Sequence, residues 1–139
     1  MKAITVDIKD YLIANTDYVF GTDLFVSKLP GTPVNCIVLF NTSVAEPEKV
    51  LEDNGTEIEN GMIQVIIRNT NYETAYVEAY NIKNCLDDLH GVTINGTDYM
   101  YITLSNGPNE LDDSGMLEVN KKTGVTLLSL NFRIKRIIN

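Results

Sequence analysis

The chain contains 139 residues, with 19 Asp and Glu against 11 Lys and Arg, so its formal net charge at pH 7 is -8. A chain of this length with 44% apolar residues can bury a core without disulfides or a structural metal. We therefore expect one soluble domain that spans residues 1–139. Proteins that bind nucleic acid through its phosphates carry clustered Lys and Arg, so the acidic balance argues against that class.

The distribution of apolar residues predicts neither a signal peptide nor a membrane span. Charges are spaced through the first ten residues, and no 18 apolar residues run together, as a transmembrane helix requires. We therefore expect the protein to be cytoplasmic where it is made. Cys36 and Cys85 fall in apolar patterns, and we interpret them as small buried side chains without a disulfide.

The first third of the chain predicts one helix and two strands. Residues 23–29 and 35–41 are rich in β-forming apolar residues, and the Pro and Gly of residues 30–33 favour a reversal between them, so a hairpin is predicted. The second strand is apolar on both faces, which is typical of a strand covered on both sides. Apolar residues at helical spacing predict a helix over residues 3–15: Ile4, Ile8, Tyr11 and Leu12.

The middle of the chain predicts a strand and then a long amphipathic helix. Residues 62–69 alternate between apolar and polar side chains, which indicates a strand with one buried face. A helix is predicted over residues 71–89, with Thr70 or Asn71 as its N-cap and Gly91 at its end. Its apolar stripe consists of Tyr72, Ala75, Tyr76, Ala79, Ile82, Leu86 and Leu89.

The last third predicts a hairpin and a long strand. The Asn95-Gly96 pair suits a tight turn, so residues 92–94 and 99–104 are expected to form a hairpin. Residues 123–134 alternate as a strand with one apolar face, made by Leu128, Leu130, Phe132 and Ile134. The elements together predict an α+β fold, a mainly antiparallel sheet packed by two helices.

Two predicted loops, residues 42–61 and 106–122, are longer than the connections of compact domains usually are. Residues 43–60 hold six acidic residues against one Lys, and residues 106–122 hold four against two Lys. We expect both loops to be mobile in the isolated subunit and to become ordered when a partner binds. Their apolar residues predict an interface: Val44, Val50, Leu51, Ile58, Leu111, Met116 and Leu117.

A search for chemistry-bearing residues finds no enzyme-like pattern. His90 is the single histidine and is expected at the end of the long helix, where the helix dipole stabilises its charge. Asp87 and Asp88 are adjacent in the predicted helix and point in different directions, so they do not form a metal site. The acidic run from Glu110 has a Lys, Lys121, where a calcium loop requires Glu. We predict no catalytic residue, metal or cofactor, and no enzyme.

Several runs of residues form a recognisable set: in the first half they are residues 10–12, 19–26, 29–30 and 35–40, and in the second half they are residues 65–68, 72–76, 93–97, 105–108 and 130–134. Together they resemble phage-encoded minor capsid proteins that include the tail terminator, or tail completion, proteins of long-tailed phages. The resemblance covers nearly the whole chain, and its motifs are structural.

The resemblance implies a small α+β virion subunit that forms a ring, expected to contain six copies, at the junction of head and tail. Such a ring closes the tail tube, contacts the tail-tube protein and the head connector, and lets DNA pass without specific binding. The implied location is the virion, with the host cytoplasm during assembly and no membrane. Acidic residues expected to face the lumen are Glu46, Glu48, Glu52, Asp53, Glu57, Glu59, Asp112 and Asp113.

Two alternative functions remain at this point. A stopper component of the head-to-tail connector differs from a terminator only in the partner that it contacts. A small ligand-binding or enzymatic α+β domain would require convergent polar residues in an apolar pocket.

Overall fold

The computed structural model describes residues 1–42, 47–49, 57–111 and 124–138. Their elements, in chain order, are helix α1 (Ile4–Asn15), strands β1 (Leu24–Val26), β2 (Cys36–Asn41), β3 (Pro47–Lys49) and β4 (Glu57–Asn69), helix α2 (Tyr72–Leu86), and strands β5 (Leu89–Ile94), β6 (Thr97–Glu110) and β7 (Thr126–Ile137).

All seven strands belong to one sheet in the order β1-β2-β4-β7-β6-β5, with β3 also paired to β4. Strands β2 and β3 follow each other along the same edge of β4, since Asn41 pairs with Ile63 and Pro47 with Glu59. Every pair except β1 with β2 is antiparallel. The predicted α+β fold, a mainly antiparallel sheet packed by two helices, is therefore confirmed.

The predicted hairpin of residues 23–29 and 35–41 is wrong, because β1 and β2 run parallel. Leu24 pairs with Ile37 and Val26 with Leu39, so the nine residues between the strands form a crossover. The crossover begins at Ser27, which has a φ of 61° and whose N–H donates to the Leu39 carbonyl at 2.8 Å. Parallel strands require the chain to return to its starting end, and residues 27–35 make that return.

Both helices pack on one face of the sheet over the main core. Helix α1 buries Ile4, Ile8 and Leu12 there. The buried stripe of α2 consists of Ala75, Ala79, Ile82 and Leu86. The core face of the sheet supplies Ile37, Leu39, Ile63, Val65, Ile67, Leu128, Leu130, Phe132 and Ile134. Neither helix of the described residues covers the other face of the sheet, which we call the outer sheet face.

Helix α2 confirms part of the predicted helix and corrects its end. The Asn71 side chain accepts a hydrogen bond from the Thr74 N–H at 2.9 Å, as an N-cap does. The helix ends at Leu86 rather than near Gly91, because Asp88 has a left-handed φ of 60° and turns the chain into β5. Leu89 therefore lies in a strand, and Tyr72 is 55% exposed instead of belonging to the core.

Strand β2 is covered on both faces, as predicted. Ile37 and Leu39 point into the main core. Cys36 and Val38 point to the outer sheet face, where they form a second cluster of buried residues with Ile66 and Leu127. Apolar residues on both sides of one strand thus serve two separate cores.

The hairpin of β5 and β6 is confirmed, since Asn95 and Gly96 have φ values of 50° and 78°. Two successive positive φ angles match the right-handed twist of the flanking strands. The predicted alternation of the last strand is also confirmed, because all four of its named apolar residues are buried in the main core. The strand spans Thr126–Ile137 and continues three residues beyond the predicted end.

The two predicted loops are wrong where strands β4 and β6 extend into them. Strand β4 begins at Glu57 and pairs with β7 from Ile58 opposite Ile137 onward, while β6 continues to Glu110. Residues 57–61 and 106–110 are polar, but the long strand β7 supplies backbone partners for both neighbours. Gly61 allows α1 to approach closely, since a Cβ there would lie 2.6 Å from Ile4 Cδ1.

Candidate functional site

A buried polar cluster, here called the Asp7 cluster (Asp7, Glu59, Asn95, Tyr99 and Arg136), lies between α1 and the sheet. Asp7 and Tyr99 are fully buried and Arg136 is 4% exposed. Asp7 accepts hydrogen bonds from the Tyr99 hydroxyl at 2.5 Å and from Asn95 Nδ2 at 2.9 Å. Its carboxylate also lies 3.2 Å from Arg136 Nη1. The cluster therefore ties α1 to strands β6 and β7.

Arg136 also binds Glu59 on β4, with Nη2 and Nε at 3.0 and 3.1 Å from one carboxylate oxygen. Burial acts to lower the pKa of Arg136, but its contacts with Tyr99 and Glu59 outweigh burial and raise it. Burial also raises the pKa of Tyr99, and Asp7 adds to that shift, so the hydroxyl keeps the proton that it donates. The three buried members have no route to a substrate, so the cluster stabilises the fold.

A second buried cation, Arg68, holds the crossover between β1 and β2. It is fully buried, and it donates to the carbonyls of Val34 at 2.7 Å, Pro33 at 3.0 Å and Pro30. Burial raises the pKa of the neighbouring Cys36 thiol, although the Arg68 charge acts in the opposite direction. Three carbonyls on one guanidinium fix residues 30–34 over the outer sheet face.

A polar cleft of about 470 Å³ lies on the helix side between the end of α1 and the middle of α2. It is lined by Asn15, Thr16, Asp17, Tyr18, Asp23, Glu78, Asn81 and Cys85. Burial raises the pKa of Glu78 and the Asp23 charge adds to this, against a hydrogen bond with Asn69 that lowers it. In the described ranges no Lys or Arg forms an ion pair with Asp17, Asp23 or Glu78.

Three aromatic side chains follow one another along α2: Tyr72 and Tyr80 are exposed, and Tyr76 between them is partly buried. The rings of Tyr72 and Tyr76 have centroids 5.0 Å apart, and those of Tyr76 and Tyr80 are 6.5 Å apart. The Tyr76 hydroxyl donates to Glu110 at 3.0 Å, and a hydrogen bond with the same carboxylate raises the pKa of Tyr72. Tyr80 lies under the Lys83 ammonium. Amphipathic aromatic rings of this kind are enriched in protein interfaces.

The structure describes only some of the predicted interface and lumen residues. Ile58 is partly buried on the outer sheet face opposite Ile137. Leu111 packs against the second core cluster, and its N–H donates to the Leu127 carbonyl. Because Ile137 and Leu127 lie near opposite ends of β7, these two predicted interface residues are not brought together.

The structure describes three of the predicted lumen residues, and the others lie outside the described ranges. Glu59 belongs to the Asp7 cluster, Glu57 is partly buried in β4, and Glu48 lies in β3. Outside the described residues are Val44, Val50, Leu51, Met116, Leu117, Glu46, Glu52, Asp53, Asp112 and Asp113. Their proposed roles stay predictions.

The prediction that His90 lies at the end of the long helix is wrong, because His90 lies in β5. Its Nε2 lies 2.7 Å from Asp88 Oδ1, and both side chains are mostly exposed. In the part of the chain that the structure describes, no group of three or more His, Cys, Asp or Glu residues is placed to hold a metal ion. Within the same residues no helix is long and apolar enough to cross a bilayer.

The sequence reasoning missed Asp7, Arg136 and the helix-side cleft. A signal for the first two was present: Asp7 falls three residues after Ile4 in the apolar stripe of α1, and Arg136 continues the inward positions of β7 after Ile134. A charged residue at a core position calls for a buried partner. The cleft had no such signal, because its residues come from three separate segments.

The described residues thus form a small α+β protein whose conspicuous features are surfaces rather than a reaction centre. One solved structure with a similar fold is titled "Virion of native gene transfer agent (GTA) particle"; it matches with a TM-score of 0.61 at 15% identity, over 98% of this chain and 96% of that one. No curated protein matches.

A family profile described as "Bacteriophage tail terminator protein" matches residues 11–137. The chain therefore belongs to the bacteriophage tail terminator family, as its sequence resemblance implied. Membership makes it a structural protein of the phage tail, located in the virion.

Proposed function

We propose that this protein forms a ring, expected to contain six copies, that closes the finished tail tube and docks it to the head connector. The family match over residues 11–137 carries this proposal, and it favours a terminator over a connector stopper. The role is that of a building block without catalysis, metal or cofactor.

The fold is suited to contacts between copies. A ring needs two different surfaces on each subunit, one for each neighbour. Strand β5 lies at one edge of the sheet and has backbone groups that an added strand can pair with. At the other edge, the backbone of Leu24 in β1 already pairs with residues 19–21. The free edge of β6 is less suitable, because Asp87 accepts a hydrogen bond from the Leu104 N–H there, and Pro108 and the bulges of β6 interrupt it.

The acidic segments, residues 43–60 and 106–122, are assigned to the lumen of this ring. DNA passes a wall of like charge without being held by its phosphates, whereas Lys and Arg would retain it. The strongly acidic composition of residues 43–60 supports this assignment. Glu59 is an exception, because its carboxylate binds Arg136.

The experiment that tests the proposal follows the purified full chain alone and with purified tail tubes. We expect sedimentation to show association at high concentration, and electron microscopy to show a ring at one end of the tube. Tubes carrying the ring should join to heads, whereas bare tubes should not. A chain that stays monomeric and leaves tube ends bare would overturn the proposal.

A further inference from the structure

The helix side of the molecule has exposed apolar side chains around the cleft. In the described ranges, six of the eight large apolar residues that are exposed lie between residue 13 and the end of α2: Ile13, Val19, Phe20, Tyr72, Val77 and Tyr80. Val77 precedes the cleft residue Glu78 and lies one helical turn before Asn81, and the Val19 N–H donates to the cleft residue Asp23. We call the cleft together with Val19, Phe20 and Val77 the helix-side surface. Apolar residues grouped around a polar centre are typical of protein interfaces.

The cleft at the centre of this surface is negatively charged, and no Lys or Arg lines it among the described residues; the Lys9 ammonium, which lies over the Phe20 ring, pairs with Asp10. Asp17 is exposed, Asp23 and Glu78 are partly buried, and none of them is ion-paired within the described residues. Asp23 does accept a hydrogen bond from the Val19 N–H, which orders the turn without neutralising the charge. A partner that brings a cation to the cleft would relieve the repulsion among these carboxylates.

The outer sheet face offers such a cation. Strand β7 alternates, so that Phe132 and Ile134 point to the helices and Arg133 points away from them. Arg133 is exposed, opposite Met62 on β4 and Thr103 on β6. No ion pair of Arg133 is found among the described residues.

We infer that the helix-side surface docks onto the outer sheet face of a second copy of this chain, with Arg133 of one copy entering the carboxylate cleft of the next. This inference rests on the proposed ring. The two surfaces lie on opposite sides of the sheet, so each copy uses one for each neighbour; such a head-to-tail contact forms a ring where the rotation between successive copies closes, and an open filament where it does not. The pairing also places opposite charges together in subunits that otherwise repel each other.

Thiol cross-linking tests this contact directly, because Cys85 lines the cleft. The Arg133→Cys variant places a second thiol on the outer sheet face. A short bis-maleimide should then join copies into covalent dimers and higher ladders under conditions in which rings form. The control Arg133→Cys with Cys85→Ser should lose the ladders.

Charge reversal gives an independent test. Arg133→Glu and Asp17→Arg should each raise the dissociation constant of self-association by about tenfold or more, since a close charge pair in an interface becomes repulsive. The double variant should recover most of that loss.

The outcomes separate this contact from ring formation itself. Rings that form with cross-links and with charge-swap recovery support the contact. Rings that form without either result overturn it and leave the proposed ring in place, with the helix-side surface then available to a basic tail-tube or connector protein. A failure to assemble at any concentration, alone or on tube ends, overturns both.

Discussion

Two groups of carboxylates lie on the helix side of the sheet and differ in how their charge is compensated. In the Asp7 cluster, two carboxylates share one guanidinium, and the Tyr99 hydroxyl and Asn95 amide supply further donors. In the cleft, Asp17, Asp23 and Glu78 have no ion-pair partner within the described residues. The first group serves the fold of one copy, while the second is left open to a partner.

The pKa directions reflect the same difference. Asp10 lies beside the Asp7 cluster, since Asn95 Nδ2 donates to its carboxylate at 2.8 Å. Partial burial acts to raise the pKa of Asp10, but hydrogen bonds from Asn95, Lys9 and Lys2 outweigh it and lower the pKa. Burial also acts on Glu78, where no cation opposes it, and the pKa is raised. Whether hydrogen-bond donors and cations offset the burial of a carboxylate therefore decides whether its charge stabilises or destabilises the folded chain.

Replacing Arg136 should give the largest effect. Arg136→Met leaves Asp7 and Glu59 without their shared cation, and removing one partner of a buried ion pair costs about 3–5 kcal/mol. We expect urea unfolding to show this loss. The control, Arg133→Met, removes an exposed cation from the same strand and should change the free energy of unfolding by less than about 0.5 kcal/mol. Equal effects of the two substitutions would contradict the assignment of Arg136 to a buried cluster.

A single hydroxyl in the cluster should have a smaller effect. Tyr99→Phe keeps the ring in the core but removes the donor to Asp7, and a buried acceptor that loses a partner costs about 1–3 kcal/mol. Thermal unfolding measures the loss. Tyr80→Phe provides the control, because Tyr80 is exposed on α2; a loss as large there would show that the Tyr99 hydroxyl has no special role.

Local signals predicted the parts of the fold that depend on neighbouring residues. The Asn71 cap, the Asn95-Gly96 turn and the alternation of β7 each depend on a few adjacent positions. The parallel pairing of β1 and β2 does not, since Arg68 reaches across more than 30 residues to hold the crossover. Two apolar runs with a Pro-Gly turn between them are compatible with either strand direction, so the sequence pattern alone favoured the wrong one.

The surfaces were harder to predict than the core. Ile58 is in a strand because Ile137, at the other end of the chain, pairs with it. The Asp7 cluster joins residues more than 120 positions apart. The core periodicity of α1 indicated Asp7 and that of β7 indicated Arg136, but neither pattern indicated that the two residues meet. The cleft depends on how the end of α1 meets α2, and no periodic pattern in the sequence indicates how close these two segments lie.

Asp10 tests the compensated side of the comparison by pH. Its lowered pKa means that its contribution to stability is present above the unfolded-state pKa and is lost as pH falls through the lower folded-state value. Asp10→Asn should therefore reduce stability near pH 7 by about 0.2–1 kcal/mol, the range of partly exposed ion pairs, and the difference from the parent should vanish in acid. Urea midpoints at both pH values measure this. If the variant and the parent differed in stability by the same amount at both pH values, the charge of Asp10 would not be what stabilises the folded chain.

Glu78 tests the uncompensated side, with the smallest effect and the opposite sign. Because its folded-state pKa is raised, the folded chain binds more protons than the unfolded chain between the two pKa values, and the stability contribution of Glu78 falls as pH rises through that window. Glu78→Gln keeps an oxygen that can accept the hydrogen bond from Asn69 and removes the charge, so it should stabilise the isolated subunit at pH 7 by about 0.5 kcal/mol. In the assembled ring the same substitution should weaken association, since the cation from the next copy loses a partner. A Glu78→Gln subunit that is less stable at pH 7 than the parent would show that the cleft carboxylates are compensated within one copy, and the contrast with the Asp7 cluster would then fail.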